Sequence, residues 1–399
     1  MTETSGKPLE VAGIRLGAAA AGIKRPGRLD LLVIEACEGA RCAAVFTRNA
    51  FCAAPVVVAR DHLLEDPLWL IINSGNANAG TGARGLDDAL ESCAMLAREV
   101  GSGPERVMPF STGVIGEYLP LERIQPAIPK AVEALQASGW EAAANAIMTT
   151  DTRPKIASRA LEFGSQKVVV TGIAKGSGMI HPDMATMLAF LATDAAVERA
   201  DLQSLLERVT DKSFNCITVD GDTSTNDACV LLASSRSVAL SAGTPDFQRF
   251  EEAVLAVCQD LAEAIVRDGE GATKLIRILV EGALDLGEAR RVAKTIAHSP
   301  LVKTAFFASD PNWGRILAAV GRAGCEDLDI GRVAIWLDDV QIVDAGERCQ
   351  TYLEEAGARV MAQNEIQIRV DLGRGRASDT VLTCDFSYDY VRINAEYRT

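Results

Sequence analysis

The chain has 399 residues, 48% hydrophobic and 24% charged, the balance of a folded globular protein with room for two or three domains at about 100–200 residues each. Its 40 Lys and Arg against 54 Asp and Glu leave a net charge of −14, so no broad basic face is available for a nucleic-acid backbone. No apolar run reaches the about 18 residues of a membrane helix and the first residues lack a leader pattern, which together predict a cytoplasmic protein.

In chain order, short apolar runs rich in β-branched residues predict strands at 31–34, 43–46, 55–59 and 69–72. At 84–100, Leu86, Leu90, Cys93, Leu96 and Val100 recur every three or four residues with acids between them, the pattern of a helix packed on a sheet. Further strands are expected at 106–110, 167–173, 187–193 and 228–233, and helices at 202–209 and 250–266. A turn-like stretch at 271–274 precedes a strand at 275–280 and a helix at 286–297. The mixture is α/β or α+β, and a boundary there divides a core of 1–274 from a smaller C-terminal α+β domain of 275–399.

The ten cysteines form no CxxC pair and sit in apolar strings, so all ten read as small buried hydrophobes. Three scattered histidines are too few for a His-based metal site, and none is expected. Gly80-Thr-Gly-Ala-Arg-Gly85 fits G-x-G-x-x-G, but the expected strand ends too early and no ribose-binding acid follows the next one, so it reads as a glycine-permitted loop. Gly269-Glu-Gly-Ala-Thr-Lys274 lacks the order of a phosphate loop. Asp220-Gly-Asp-Thr-Ser-Thr-Asn-Asp227 lacks the closing Glu of a calcium loop and reads as a polar turn.

Between Gly172 and Ala192 a glycine-rich loop feeds a strand through Ala185-Thr186. A threonine hydroxyl is a poor nucleophile near neutrality unless a base stands beside it, and its own α-amine, once freed, is such a base. Attack of the Thr186 hydroxyl on the Ala185 carbonyl, then hydrolysis of the ester, would free it. Spacing alone equally allows Thr186 to be an ordinary β-forming residue.

Ala185-Thr-Met-Leu188, with Lys175-Gly-Ser-Gly-Met179 upstream, resembles the processing site of the ornithine acetyltransferase family of arginine biosynthesis, also called glutamate N-acetyltransferase. The likeness continues through Val45-Phe-Thr-Arg-Asn49, Asn73-Ser-Gly-Asn-Ala-Asn-Ala79, Phe110-Ser-Thr-Gly-Val-Ile115, Met148-Thr-Thr-Asp-Thr152, Thr218-Val-Asp-Gly-Asp-Thr-Ser-Thr-Asn226, Val266-Arg-Asp-Gly-Glu-Gly-Ala-Thr-Lys274, Ser309-Asp-Pro-Asn-Trp-Gly-Arg315 and Ile393-Asn394-Ala395.

The resemblance implies a four-layer αββα sandwich and self-cleavage into an α chain of 1–185 and a β chain of 186–399 that stay together as an α2β2 heterotetramer. It implies a ping-pong reaction in which N2-acetylornithine acetylates Thr186 and glutamate takes the acetyl group. Bifunctional bacterial members, which the chain resembles, also accept acetyl-CoA as co-substrate, and no cofactor is expected. By position, Thr112 and Gly113 match the oxyanion hole, and Thr152, Lys175, Thr186, Glu270, Asn394 and Thr399 the substrate-binding residues. Two positions depart from the pattern of many members, Asp183 in place of Asn and Gly80 in place of Cys. A hydrolase with the same nucleophile, an aminopeptidase or amidase, and a non-catalytic protein that kept the fold are the alternatives.

Overall fold

The structure, a computed structural model, describes residues 7–181 and 187–396. Ala185, Thr186 and Thr399, and with them Asp183, lie outside the described residues. Two compact units share the chain: 1–176, 181–215 and 222–265 form the first, and 177–180, 216–221 and 266–399 the second. The units are therefore not consecutive pieces, and residues 266–274, placed with the core in the sequence reading, cluster with the second.

In the first unit the strands are β1 (Ile14–Ala19), β2 (Leu31–Ala36), β3 (Arg41–Phe46), β4 (Trp69–Asn76), β5 (Val107–Val114), β6 (Lys155–Phe163), β7 (Gln166–Lys175), β8 (Leu188–Thr193) and β9 (Ala228–Ala233). Its helices are α1 (Ala54–His62), α2 (Gly82–Val100), α3 (Leu121–Ile124), α4 (Ile128–Glu133), α5 (Trp140–Ala146), α6 (Arg199–Asp211) and α7 (Pro245–Arg267), whose last turn passes into the second unit. One sheet runs β1-β2-β4-β5 and the other β3-β9-β8-β7-β6, with β4–β5 and β8–β9 the parallel pairs.

A shared core fills the space between the two sheets, drawing Leu32, Ile34, Ile72 and Phe110 from one and Ile173, Leu188, Phe190 and Val230 from the other. Phe110 meets Phe190 edge to face with ring centroids 5.2 Å apart. The outer face of the first sheet packs Val33, Ile71 and Val107 on Ala89, Cys93 and Leu96 of α2 and on Ile128 and Ala131 of α4. On the second sheet α6 lies along β3, and a Cβ at Gly172 of β7 would meet Val257 and Leu261 of α7 at 3.1–3.3 Å. Two helical layers thus enclose two sheets, the expected αββα sandwich. β8 and β9 are buried at every position because both their faces are covered, which is why Leu-Ala-Phe-Leu-Ala-Thr and Ala-Cys-Val-Leu-Leu-Ala read as unbroken apolar runs.

The run 55–59 is helical rather than extended. Pro55 opens α1, where its missing N–H costs nothing, and Val56, Val58 and Ala59 are buried while Val57 faces outward. The valines turn helical because α1 packs against β5 and α2, and packing outweighs their weak strand preference.

The second unit holds a sheet in the order β13-β12-β11-β14-β10-β15, from β10 (Leu275–Ala283), β11 (Ala334–Leu337), β12 (Val340–Asp344), β13 (Glu347–Arg348), β14 (Glu365–Asp371) and β15 (Ala377–Cys384). Its helices are α8 (Leu286–Ala297), α9 (Pro300–Phe307), α10 (Trp313–Gly321), α11 (Glu354–Met361) and α12 (Tyr388–Ala395). Ile276, Ile278 and Val280 alternate with half-buried Arg277, Leu279 and Glu281, so one face of the sheet takes the helices. Taken by itself, this unit is α+β.

All ten cysteines are free thiols, but Cys37, Cys52 and Cys325 are only half-buried, against the expectation of ten buried ones. Cys37 leaves the apolar class because its Sγ accepts from Arg236 Nε at 3.1 Å. No helix among the described residues is long and apolar enough to cross a membrane.

Candidate active site

Thr112 and Gly113 are not in a loop after their strand, as the sequence suggested, but inside β5, which continues to Val114 alongside the parallel β4. Asn73 pairs with Ser111, Ser74 with Thr112 and Gly75 with Gly113 before the register slips at Asn76. Gly113 has φ of +138°, and a Cβ there would stand 2.3 Å from the Gly75 carbonyl carbon and 2.5 Å from Asn76 N. Only glycine allows that conformation and that approach.

A buried amide network holds the backbone around Thr112. Asn226 Nδ2 donates to Ser111 O at 2.9 Å and to Ala77 O at 2.6 Å, while Asn226 Oδ1 accepts from Thr225 Oγ1 at 2.6 Å. Ser111 Oγ donates to Asn73 Oδ1 at 2.6 Å, and Asn73 Nδ2 to Asn76 O at 2.8 Å. Such satisfied buried groups fix a single geometry.

Lys175 ends β7, and its Nζ donates to Thr112 Oγ1 at 3.1 Å. With that lone pair taken, the Thr112 hydroxyl hydrogen is free to donate elsewhere, polarised by the ammonium. Next to Lys175, Gly176 N donates to Asp151 Oδ1 at 2.7 Å. Asp151 also accepts from Lys155 Nζ at 2.6 Å and from Thr149 N at 2.9 Å. Burial pushes the Asp151 carboxyl up, but Lys155, then Lys175, and the Gly176 N–H outweigh it and hold it at about 2. Thr152, the next residue, is exposed.

Asp227 stands at the start of β9, 3% exposed, with Ala228 N bonded to Met187 O at 2.9 Å. Its Oδ2 accepts no hydrogen bond among the described residues. Burial pushes its carboxyl well above the usual range, and Ser224 and Lys175 offset only part of this. Asp151 and Asp227 are thus shifted in opposite directions.

Glu270 and Asn394 belong to the second unit. Buried Glu270 accepts from Asn394 Nδ2 of α12 at 2.8 Å, and its backbone N donates to Ser177 O at 2.8 Å. A Cβ at Gly178 would stand 2.4 Å from the Glu270 carboxylate, so the glycine lets the chain run directly against it. Asp220 secures the same segment, accepting from Met179 N at 2.6 Å and Ile180 N at 2.9 Å. The polar turn at 220–227 is therefore structural at both ends, and Asp151, Asn226 and Asp227 are site residues that sequence reasoning passed over. All three stood inside quoted stretches, which was their only signal.

The glycine run at 80–85 opens α2 between the parallel β4 and β5, yet it is filled from within. Asn78 Nδ2 donates to Gly85 O at 2.8 Å, and Thr81 Oγ1 lies 1.9 Å from where a Gly85 Cβ would be. Among the described residues no group of three or more His, Cys, Asp and Glu is placed to hold a metal.

Comparison with known proteins gives the family. The ArgJ family pattern matches residues 15–399. The arginine biosynthesis bifunctional protein ArgJ of Methylococcus capsulatus is 69% identical over 391 residues, 98% of this chain and 96% of that protein. The protein of the same name from Pseudomonas fluorescens is 53% identical over 392 residues, 98% and 97% of the two. Among solved structures, ArgJ from Bacillus halodurans is 43% identical to the part it aligns with, 51% of this chain and 96% of that one, with a TM-score of 0.49. The chain belongs to the ArgJ family.

Proposed function

We propose that the chain is a self-processing acetyltransferase of arginine biosynthesis that moves the acetyl group of N2-acetylornithine to glutamate through an ester on Thr186, and that it also takes acetyl-CoA as donor. In this reading the Thr186 hydroxyl first attacks the Ala185 carbonyl and displaces the Thr186 nitrogen, which becomes the free α-amine that later serves as base, and water then opens the ester to give the Ala185 carboxylate and the restored hydroxyl. Acetylornithine then acetylates Thr186 and leaves as ornithine, and the glutamate amine takes the acetyl group. Thr112 and Gly113 receive the oxyanion of each tetrahedral intermediate; one such donor is worth about 100–1000-fold in rate. Thr152, Lys175, Glu270, Asn394 and Thr399 bind substrate. The chemistry needs no cofactor. The α and β chains assemble as α2β2 in the cytoplasm.

The observation that carries this reading is the Thr112–Gly113 corner, a glycine-only backbone beside a hydroxyl polarised by Lys175 Nζ at 3.1 Å. Denaturing mass spectrometry tests it: the purified protein should give pieces 1–185 and 186–399, and Thr186→Ala a single uncut, inactive chain. An alanine variant cut at the wild-type rate would remove Thr186 from the reaction. Rapid turnover of acetylornithine without glutamate would mark a hydrolase instead.

A further inference from the structure

We propose that Asp151 is a positioning residue whose buried carboxylate holds the Gly176 N–H and so aims Lys175 at Thr112. The inference rests on the acetyltransferase reading and goes beyond it, since the hydrogen bonds of Asp151 go to Lys155, Gly176 and Thr149 and not to Thr112. Its two oxygens gather three segments: Oδ1 takes Lys155 Nζ at the start of β6 and Gly176 N just after β7, and Oδ2 takes Thr149 N. Arg28 secures the same stretch from outside, donating to Met148 O at 2.7 Å. Gly176 has φ of +150°, a conformation that side-chain-bearing residues rarely adopt, so its direction depends on what its N–H is bonded to. One residue earlier Lys175 is paired with Leu188 of β8, and its Nζ reaches Thr112.

Charge follows the same plan. Lys155 and Asp151 have side-chain exposures of 1% and 0%, and their pairing is complete within the core. Asp151 answers Lys155 directly, and burial pushes the Asp227 carboxyl well above its usual range. The ammonium of Lys175 meets the Thr112 hydroxyl at 3.1 Å.

A variant that loses the carboxylate strands Lys155, so the pair is tested together. Asp151→Leu with Lys155→Met removes both charges and the acceptor of the Gly176 N–H, and, with apolar groups of similar volume in place of the buried pair, should still fold. Self-cleavage, read by mass spectrometry, should still be about 100-fold slower, the scale of a misplacement of about 1 Å at a reacting group. kcat/KM should fall alike in both half-reactions. Lys155→Met alone keeps Asp151 on Gly176 but takes the nearest counter-charge from a buried carboxylate, so it should melt lower, while the chain that stays folded should process and turn over within about threefold of wild type. Full recovery of rate in the double variant, or a loss in Lys155→Met as large as in the double variant, would overturn the proposal. Thr186→Ala in the same assays judges the underlying reading separately, because an uncut chain there leaves the nucleophile standing whatever Asp151 does.

Discussion

Lys155 in the first unit and Lys303 in the second are 2% and 1% exposed, and the chain keeps them buried by opposite means. Lys155 meets a carboxylate, Asp151, at 2.6 Å. Lys303 has no ion-pair partner among the described residues; its Nζ donates to Thr383 Oγ1 at 2.9 Å and to the Cys384 carbonyl, with the Phe386 ring centroid 4.5 Å away. Burial pushes the Lys303 ammonium below the usual lysine range, and Cys384, Asp385 and Asp220 restore only part of it. A buried base with a full counter-charge stays ionic, and one with neutral acceptors serves chiefly as a hydrogen-bond donor. The ionic solution stands beside the candidate site, where a fixed charge has work to do on its neighbours.

The comparison breaks most visibly under mutation. Asp151→Ala should cost about 3–5 kcal/mol in urea unfolding, because it takes from the buried Lys155 ammonium the carboxylate it meets at 2.6 Å. Lys303→Met should cost about 1–2 kcal/mol, the loss of hydrogen bonds to acceptors that stay buried. Equal costs for the two would mean that both lysines carry charge in the core.

Acidity gives a smaller and sharper contrast. The Asp151 carboxyl titrates at about 2 when folded against an ordinary 3.8, so its contribution of about 2 kcal/mol is present above pH 4 and fades as pH falls toward 2. For Lys303, a base depressed by burial, the unfolded chain binds more protons, so stability should rise as pH climbs toward 10.5. Urea midpoints measured at both ends of the pH range check the two signs, and the acid-end slope should be shallower in Asp151→Leu with Lys155→Met.

What could be read in advance follows from how many faces of an element are covered. β8 and β9, apolar at every position, and α2, with its regular stripe, were placed within a few residues. The short strands β11, β12 and β13 were missed, since four, five and two residues with one wet face give too little pattern. β5 was cut short at Phe110 because Ser-Thr-Gly looks like a turn, although Gly113 is there to let two strands touch. Thr112, Gly113, Lys175, Glu270 and Asn394 came from family likeness, and the structure adds Thr112 to Lys175 and Glu270 to Asn394 as bonded pairs. Asp151 was invisible as a site residue because an aspartate between threonines reads as a turn former; its bond to the end of β7 exists only after folding.

The five-stranded sheet has a consequence for handling the protein. β3, β6 and β7 precede residue 185, while β8 and β9 follow it. The ladders β7–β8 and β3–β9, with six residue pairs each, would run between the two products of a cut at that point. Such products should co-elute on any native column and part only in denaturant. Mixing them after separation would then require a bimolecular encounter to rebuild one core, and during synthesis β3 must wait for β9 before that sheet can close. The intact chain should therefore be the only efficient route to the folded pair, with scission following folding.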